Sequence, residues 1–84
     1  MSREYRYTVL FEPAEEGGYV VTCPSLPGLV TEGDTLEEAR AMAADAIRGY
    51  LEALSKDDSP FPLEDRESIA GVMKETVAVA IEEA

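Results

Sequence analysis

Hydrophobic and polar positions alternate strictly from Tyr5 to Glu12. Tyr5, Tyr7, Val9 and Phe11 fall on one side and Arg6, Thr8, Leu10 and Glu12 on the other. A period of two built from aromatic and β-branched residues predicts a half-buried strand. Pro13-Ala14-Glu15-Glu16-Gly17-Gly18 interrupts the alternation, and its glycine pair predicts a hairpin turn with positive φ. Tyr19 to Cys23 is then the returning strand, antiparallel to the first. Pro24 and Pro27-Gly28 frame a stiff corner, because proline fixes φ and glycine permits a sharp reversal. Leu29 to Glu32 reads as a third, short strand.

The period changes to that of a helix at Thr35. Thr35-Leu36-Glu37-Glu38 has the form of a capping box, in which the threonine hydroxyl and the glutamate three residues on serve unpaired amides of the first turn. Two early glutamates also suit the positive end of a helix dipole. Leu36, Ala39, Ala43, Ala46, Ile47, Tyr50 and Leu54 form one apolar stripe, with Glu37, Arg40, Arg48 and Glu52 largely off it. The many alanines predict a helix axis close to the sheet. Ser55-Lys56-Asp57-Asp58-Ser59-Pro60 ends the helix, and Pro60-Phe61-Pro62 is incompatible with helical interior. Residues 63–74 fit neither period, and a short helical turn is the expectation there. From Glu75 to Glu82 the alternation returns, with Val77, Val79 and Ile81 on one face of a closing strand.

The predicted order is β-β-β-α-β in a single domain spanning 1–84, without internal repeats. If the helix is a crossover between parallel strands, it packs on one face of the sheet. The result is a two-layer α+β domain whose other sheet face is less covered. Tyr5, Tyr7 and the uncovered strand edges are then available for association.

Composition narrows the possible chemistry. The chain has 84 residues, 45% of them hydrophobic, which suits one small folded domain better than disorder. Chains of this size often gain stability by self-association, so a dimer or tetramer is expected. No apolar run approaches the length needed to span a bilayer, and the first residues lack the apolar core of a signal peptide. A cytoplasmic location is expected. The single cysteine, Cys23, cannot make an internal disulfide and reads as a small buried strand residue. Histidine is absent, which removes the commonest general base and the usual zinc ligand. No catalytic residue, metal site or cofactor is predicted.

Eighteen acidic residues against seven basic ones give a net charge of −11. Such a surface repels phosphate backbones, so direct nucleic-acid binding is not expected. The charge fits either simple solubility or a partner with a basic face.

Three consecutive stretches carry a family resemblance: Gly18-Tyr19-Val20-Val21, Pro24-Ser25-Leu26-Pro27-Gly28, and Thr31-Glu32-Gly33-Asp34-Thr35-Leu36-Glu37-Glu38-Ala39. In this order and spacing they resemble the HicB-like antitoxin domain. The likeness continues through Tyr50-Leu51, the Pro60/Pro62 segment and the last hydrophobic strand. It implies a partial RNase H-like β-β-β-α-β fold. It also implies a role in neutralising a small, basic, mRNA-cleaving HicA toxin. Many members add a C-terminal module that binds operator DNA. Here the chain stops at Ala84, so a minimal form without that module is expected.

Under this resemblance the acidic charge acquires a use, because carboxylates suit the Arg and Lys groups that otherwise grip RNA phosphates. Glu15 and Glu16 at the hairpin tip, with Glu32 and Asp34 near the opposite corner, are the candidate partner-binding residues. The simpler reading of each is a solvated turn residue or, for Asp34, a helix-start residue. Two other functions fit parts of the same sequence. One is an orphan oligomeric adaptor without a toxin. The other is an RNase H-like nuclease, whose metal ions would need carboxylates such as Glu12, Glu32 and Glu82 to converge.

Overall fold

The computed structural model of the chain describes residues 2–62 and 73–82. Its elements in chain order are β1 (Ser2–Pro13), β2 (Tyr19–Thr22), β3 (Val30–Gly33), α1 (Leu36–Lys56) and β4 (Met73–Glu82). The strands form one sheet in the order β3-β2-β1-β4, and every neighbouring pair is antiparallel. The α+β order read from the sequence is the order found. The conditional parallel crossover is not: β4 runs antiparallel to β1, and therefore also to β3. The connection through α1 instead carries the chain from one sheet edge to the other, leaving the helix on a single face.

The turns follow local chemistry. Gly17 and Gly18 adopt φ of 99° and 79°, and the Ala14 and Gly17 amides donate to the Gly18 and Ala14 carbonyls at 3.0 and 3.1 Å. Between β2 and β3, the Leu29 amide donates to the Leu26 carbonyl at 3.1 Å across Pro27-Gly28. Gly28 has φ of 86°, so proline and glycine hold the second and third places of a type II turn. At the helix start the Glu38 amide donates to Thr35 Oγ1 at 3.0 Å, and Thr35 itself is extended.

The core lies between α1 and one sheet face. Tyr7, Val9, Phe11, Val21, Val77, Val79 and Ile81 meet Ala39, Ala43, Ile47 and Leu51, with Cys23, Leu26 and Leu29 closing one end. Each large aliphatic or aromatic side chain so buried contributes about 1.5–3 kcal/mol. Leu51 has no accessible surface yet lies outside the stripe read from the sequence. The buried row advances by four residues per step, and four residues overshoot one turn by about 40°, so the stripe spirals towards Leu51. The expected closeness of helix and sheet is confirmed at Gly33. A Cβ there would lie 2.5 Å from the Ala39 amide nitrogen.

Several boundaries shift. β1 is longer than the alternation, β3 ends one residue later, and β4 begins at Met73, so Met73 and Lys74 are strand rather than helical turn. The rest of the expected turn, residues 63–72, lies outside the described residues. Cys23 is buried as expected, but just beyond β2. Tyr7 is not available for association, and Tyr5 is half-buried. Tyr7 is 2% exposed and donates its hydroxyl to the Pro62 carbonyl at 2.7 Å. Tyr5 meets Phe61 edge-to-face with ring centroids 4.8 Å apart. The segment after the helix folds back and contacts both rings.

Candidate protein-binding surface

The turn chemistry decides where the acidic side chains collect. Tyr19 pairs with Pro13 on one side and Gly33 on the other, so the β1–β2 hairpin and the β3–α1 junction share one end of the sheet. The two loops touch: a Cβ on Gly18 would lie 2.8 Å from the Gly33 carbonyl oxygen and 3.3 Å from Asp34 Cα. Glu15, Glu16, Glu32 and Asp34 therefore lie at the same end of the molecule, not at opposite corners. Three strands joined by short turns return every second junction to the same end, which corrects the linear reading. All four residues are exposed.

The same end carries more carboxylates than the sequence reading assigned to it. Glu12 and Glu32 both pair with Val20, one from each side, which places them in one row on the helix-free face. Glu37 and Glu38 occupy the first turn of α1, three and four residues after Asp34. Seven exposed carboxylates are thus concentrated there; among the described residues none is in a salt bridge, and only Glu37 acts at longer range on a basic side chain, Arg40. The signal that finds Glu12 is the register, which comes from strand pairing rather than from composition.

Arg40 is committed elsewhere. Its Nε lies 2.7 Å from both Glu75 carboxylate oxygens, and a terminal nitrogen is 2.6 Å from one of them. This two-pronged contact ties the start of α1 to β4. The hydrogen bond from Arg40 holds the Glu75 carboxyl below the usual carboxylate range, and the same bond raises the guanidinium above its ordinary value. The acidic end is left as a set of solvated hydrogen-bond acceptors. It is chemically suited to guanidinium and ammonium groups on a facing molecule.

The carboxylates named for a nuclease do not converge. Glu12 and Glu32 are close in register, but Glu82 pairs with Ser2 at the far end of β1. Ten strand residues separate Ser2 from Glu12, or about 33 Å. Among the described residues, no three Cys, Asp or Glu side chains gather in a way that would hold a metal ion. No helix among them is long and apolar enough to cross a membrane.

Comparison with known proteins connects this geometry to a family. Residues 7–79 match the HicB-like antitoxins of bacterial toxin–antitoxin systems. Antitoxin HicB 1 of Photorhabdus laumondii is 46% identical over 61 residues, covering 73% of this chain and 39% of that protein. The N-terminal domain of the Burkholderia pseudomallei antitoxin HicB has the same fold, with a TM-score of 0.74 at 21% identity. The superposition covers 87% of this chain and 95% of that one. A chain of a toxin–antitoxin complex from Streptococcus pneumoniae superposes with a TM-score of 0.69 at 17% identity, over 94% of this chain and 69% of the other.

Proposed function

This chain belongs to the HicB-like antitoxins of bacterial toxin–antitoxin systems, and from that premise we propose that it binds and neutralises a small, basic, mRNA-cleaving toxin of the HicA type. The observation that carries this reading is the gathering of Glu15, Glu16, Glu32 and Asp34 at one end of the sheet, beside Glu12, Glu37 and Glu38. A ribonuclease grips phosphates with Arg and Lys, and a dense group of carboxylates competes for those same side chains. The antitoxin acts by occupying the surface and supplies no chemistry of its own.

Exposed ion pairs contribute about 0.2–1 kcal/mol each, so several must be removed together to produce a clear effect. Replacing Glu15, Glu16 and Glu32 by Gln and Asp34 by Asn is expected to weaken toxin binding about tenfold or more and to flatten its salt dependence. The melting temperature should change little, because these side chains bury nothing. Titration calorimetry with a HicA-type toxin, together with rescue of toxin-arrested growth, measures both effects. Failure of the wild-type chain to bind or rescue at equimolar levels overturns the reading and leaves the orphan adaptor. An unchanged affinity in the quadruple variant overturns the assignment of the surface.

A further inference from the structure

β3 forms one edge of the sheet, and among the described residues no strand lies beyond it. An edge strand turns alternate amides and carbonyls outward, where only solvent or another backbone satisfies them. Two apolar side chains frame this edge. Among the described residues, the exposed large hydrophobics are Val30, at 65%, and Met42, at 41%. Val30 and Glu32 pair with Thr22 and Val20, which flank the buried Val21, so both lie on the helix-free face. Met42 lies on the other side of the edge, on the flank of α1 nearer β3. The two flanks of the helix are marked by long-range contacts. Arg40 reaches Glu75 on β4, whereas Tyr50 donates its hydroxyl to the Pro27 carbonyl, at the β2–β3 corner, at 2.9 Å. At about 100° per residue, Met42 stands roughly 200° round from Arg40 and roughly 80° from Tyr50. Its height follows as well. Gly33 abuts Ala39, and α1 runs back from there towards Pro27, so Met42 stands near the level of Thr31.

We infer that β3 receives an extended segment of the basic partner as an added strand of the sheet. The inference rests on the antitoxin reading and deepens it, because the carboxylates draw the partner in and β3 sets how it sits. Backbone chemistry selects an extended occupant. A helix has already used its own amides and carbonyls and has none to offer the edge, whereas an extended chain presents a matching row. Charge selects a cationic one, since Glu32 lies within β3 and Asp34 directly follows it, both exposed. The side chains on either side of the edge then dictate a pattern. Val30 and Glu32 are two positions apart on one face, so the segment places an apolar side chain against Val30 and a cationic one against Glu32. The residue between those two turns to the other face, where an apolar side chain packs against Met42.

Two measurements with a HicA-type toxin test this. In hydrogen exchange followed by NMR, the outward amides of β3 should slow by about tenfold or more at saturating toxin, because they acquire backbone acceptors. In titration calorimetry, the double variant Val30→Thr and Met42→Gln should bind about tenfold more weakly, since each change keeps the shape and removes apolar contact. It alters no charge, so the salt dependence of binding should stay that of the wild type, unlike that of the carboxylate variant. Both side chains are exposed, and the melting temperature should not move, which excludes misfolding as the cause. Toxin binding that leaves the β3 amides at their free-chain rates overturns the inference and leaves the antitoxin reading standing. So does a double variant that binds as tightly as the wild type. A wild-type chain that binds no toxin overturns both.

Discussion

Gly33 sits where the chain leaves β3, and the backbone of α1 leaves no room for a side chain there. An added Cβ would meet the Ala39 nitrogen at 2.5 Å and its Cα at 2.7 Å, both atoms of a packed helix rather than a flexible tip. Gly33→Ala is expected to cost about 2–3 kcal/mol, read as a lower denaturant midpoint, because the helix start must move off the sheet. Asp58 presents the opposite case. It follows the C-cap Asp57, has φ of 54°, and its amide donates to the Ser55 carbonyl at 3.2 Å while the Ser59 amide reaches the Leu54 carbonyl at 2.9 Å. This is the Schellman arrangement with aspartate in the place glycine usually takes. The left-handed conformation costs an L-residue roughly 1–2 kcal/mol, and a carboxylate at the negative helix end adds a few tenths. Glycine loses part of that gain to its freer unfolded chain. Asp58→Gly should still stabilise by about 1 kcal/mol, visible in thermal melts.

At the scale of elements, the contact between Arg40 and Glu75 links the first turns of α1 to the first residues of β4, 35 positions apart in the chain. Glu75 is held below the usual carboxylate range, chiefly by its hydrogen bond from Arg40. A depressed acid favours the folded state above its unfolded value, and that contribution disappears as the pH falls through the folded value. Wild type should therefore exceed Glu75→Gln in stability at neutral pH, and the two should converge in acid. Denaturant titrations at a series of pH values check this, and a gap that widened in acid would contradict it. The pair is partly exposed, so high salt should narrow the neutral-pH gap as well.

For the molecule as a whole, the concentration of charge at one end of the sheet predicts a response to salt. Toxin binding through seven exposed carboxylates should weaken as ionic strength rises from about 50 to 500 mM, because attraction between opposite charges is screened. Calorimetry across that range tests the assignment of the surface, and an affinity that salt leaves unchanged contradicts it.

What the sequence determined by itself is the local structure: alternation at Tyr5–Glu12 and Val77–Ile81, the Gly17-Gly18 and Pro27-Gly28 turns, and the Thr35 cap. Each depends on chemistry within a few residues, where side-chain period and allowed φ act directly. The family resemblance was legible for the same reason, since its motifs are those turns and that cap in fixed order. Tertiary structure alone decided the antiparallel seat of β4 beside β1 and the packing of Tyr5 and Tyr7 against Phe61 and Pro62. It also brought the hairpin glutamates to Glu32 and Asp34. These depend on which distant segments pair and on which end of the sheet each turn returns to. Hydrophobic period fixes which face a side chain takes, but it carries no information about which strand becomes the neighbour.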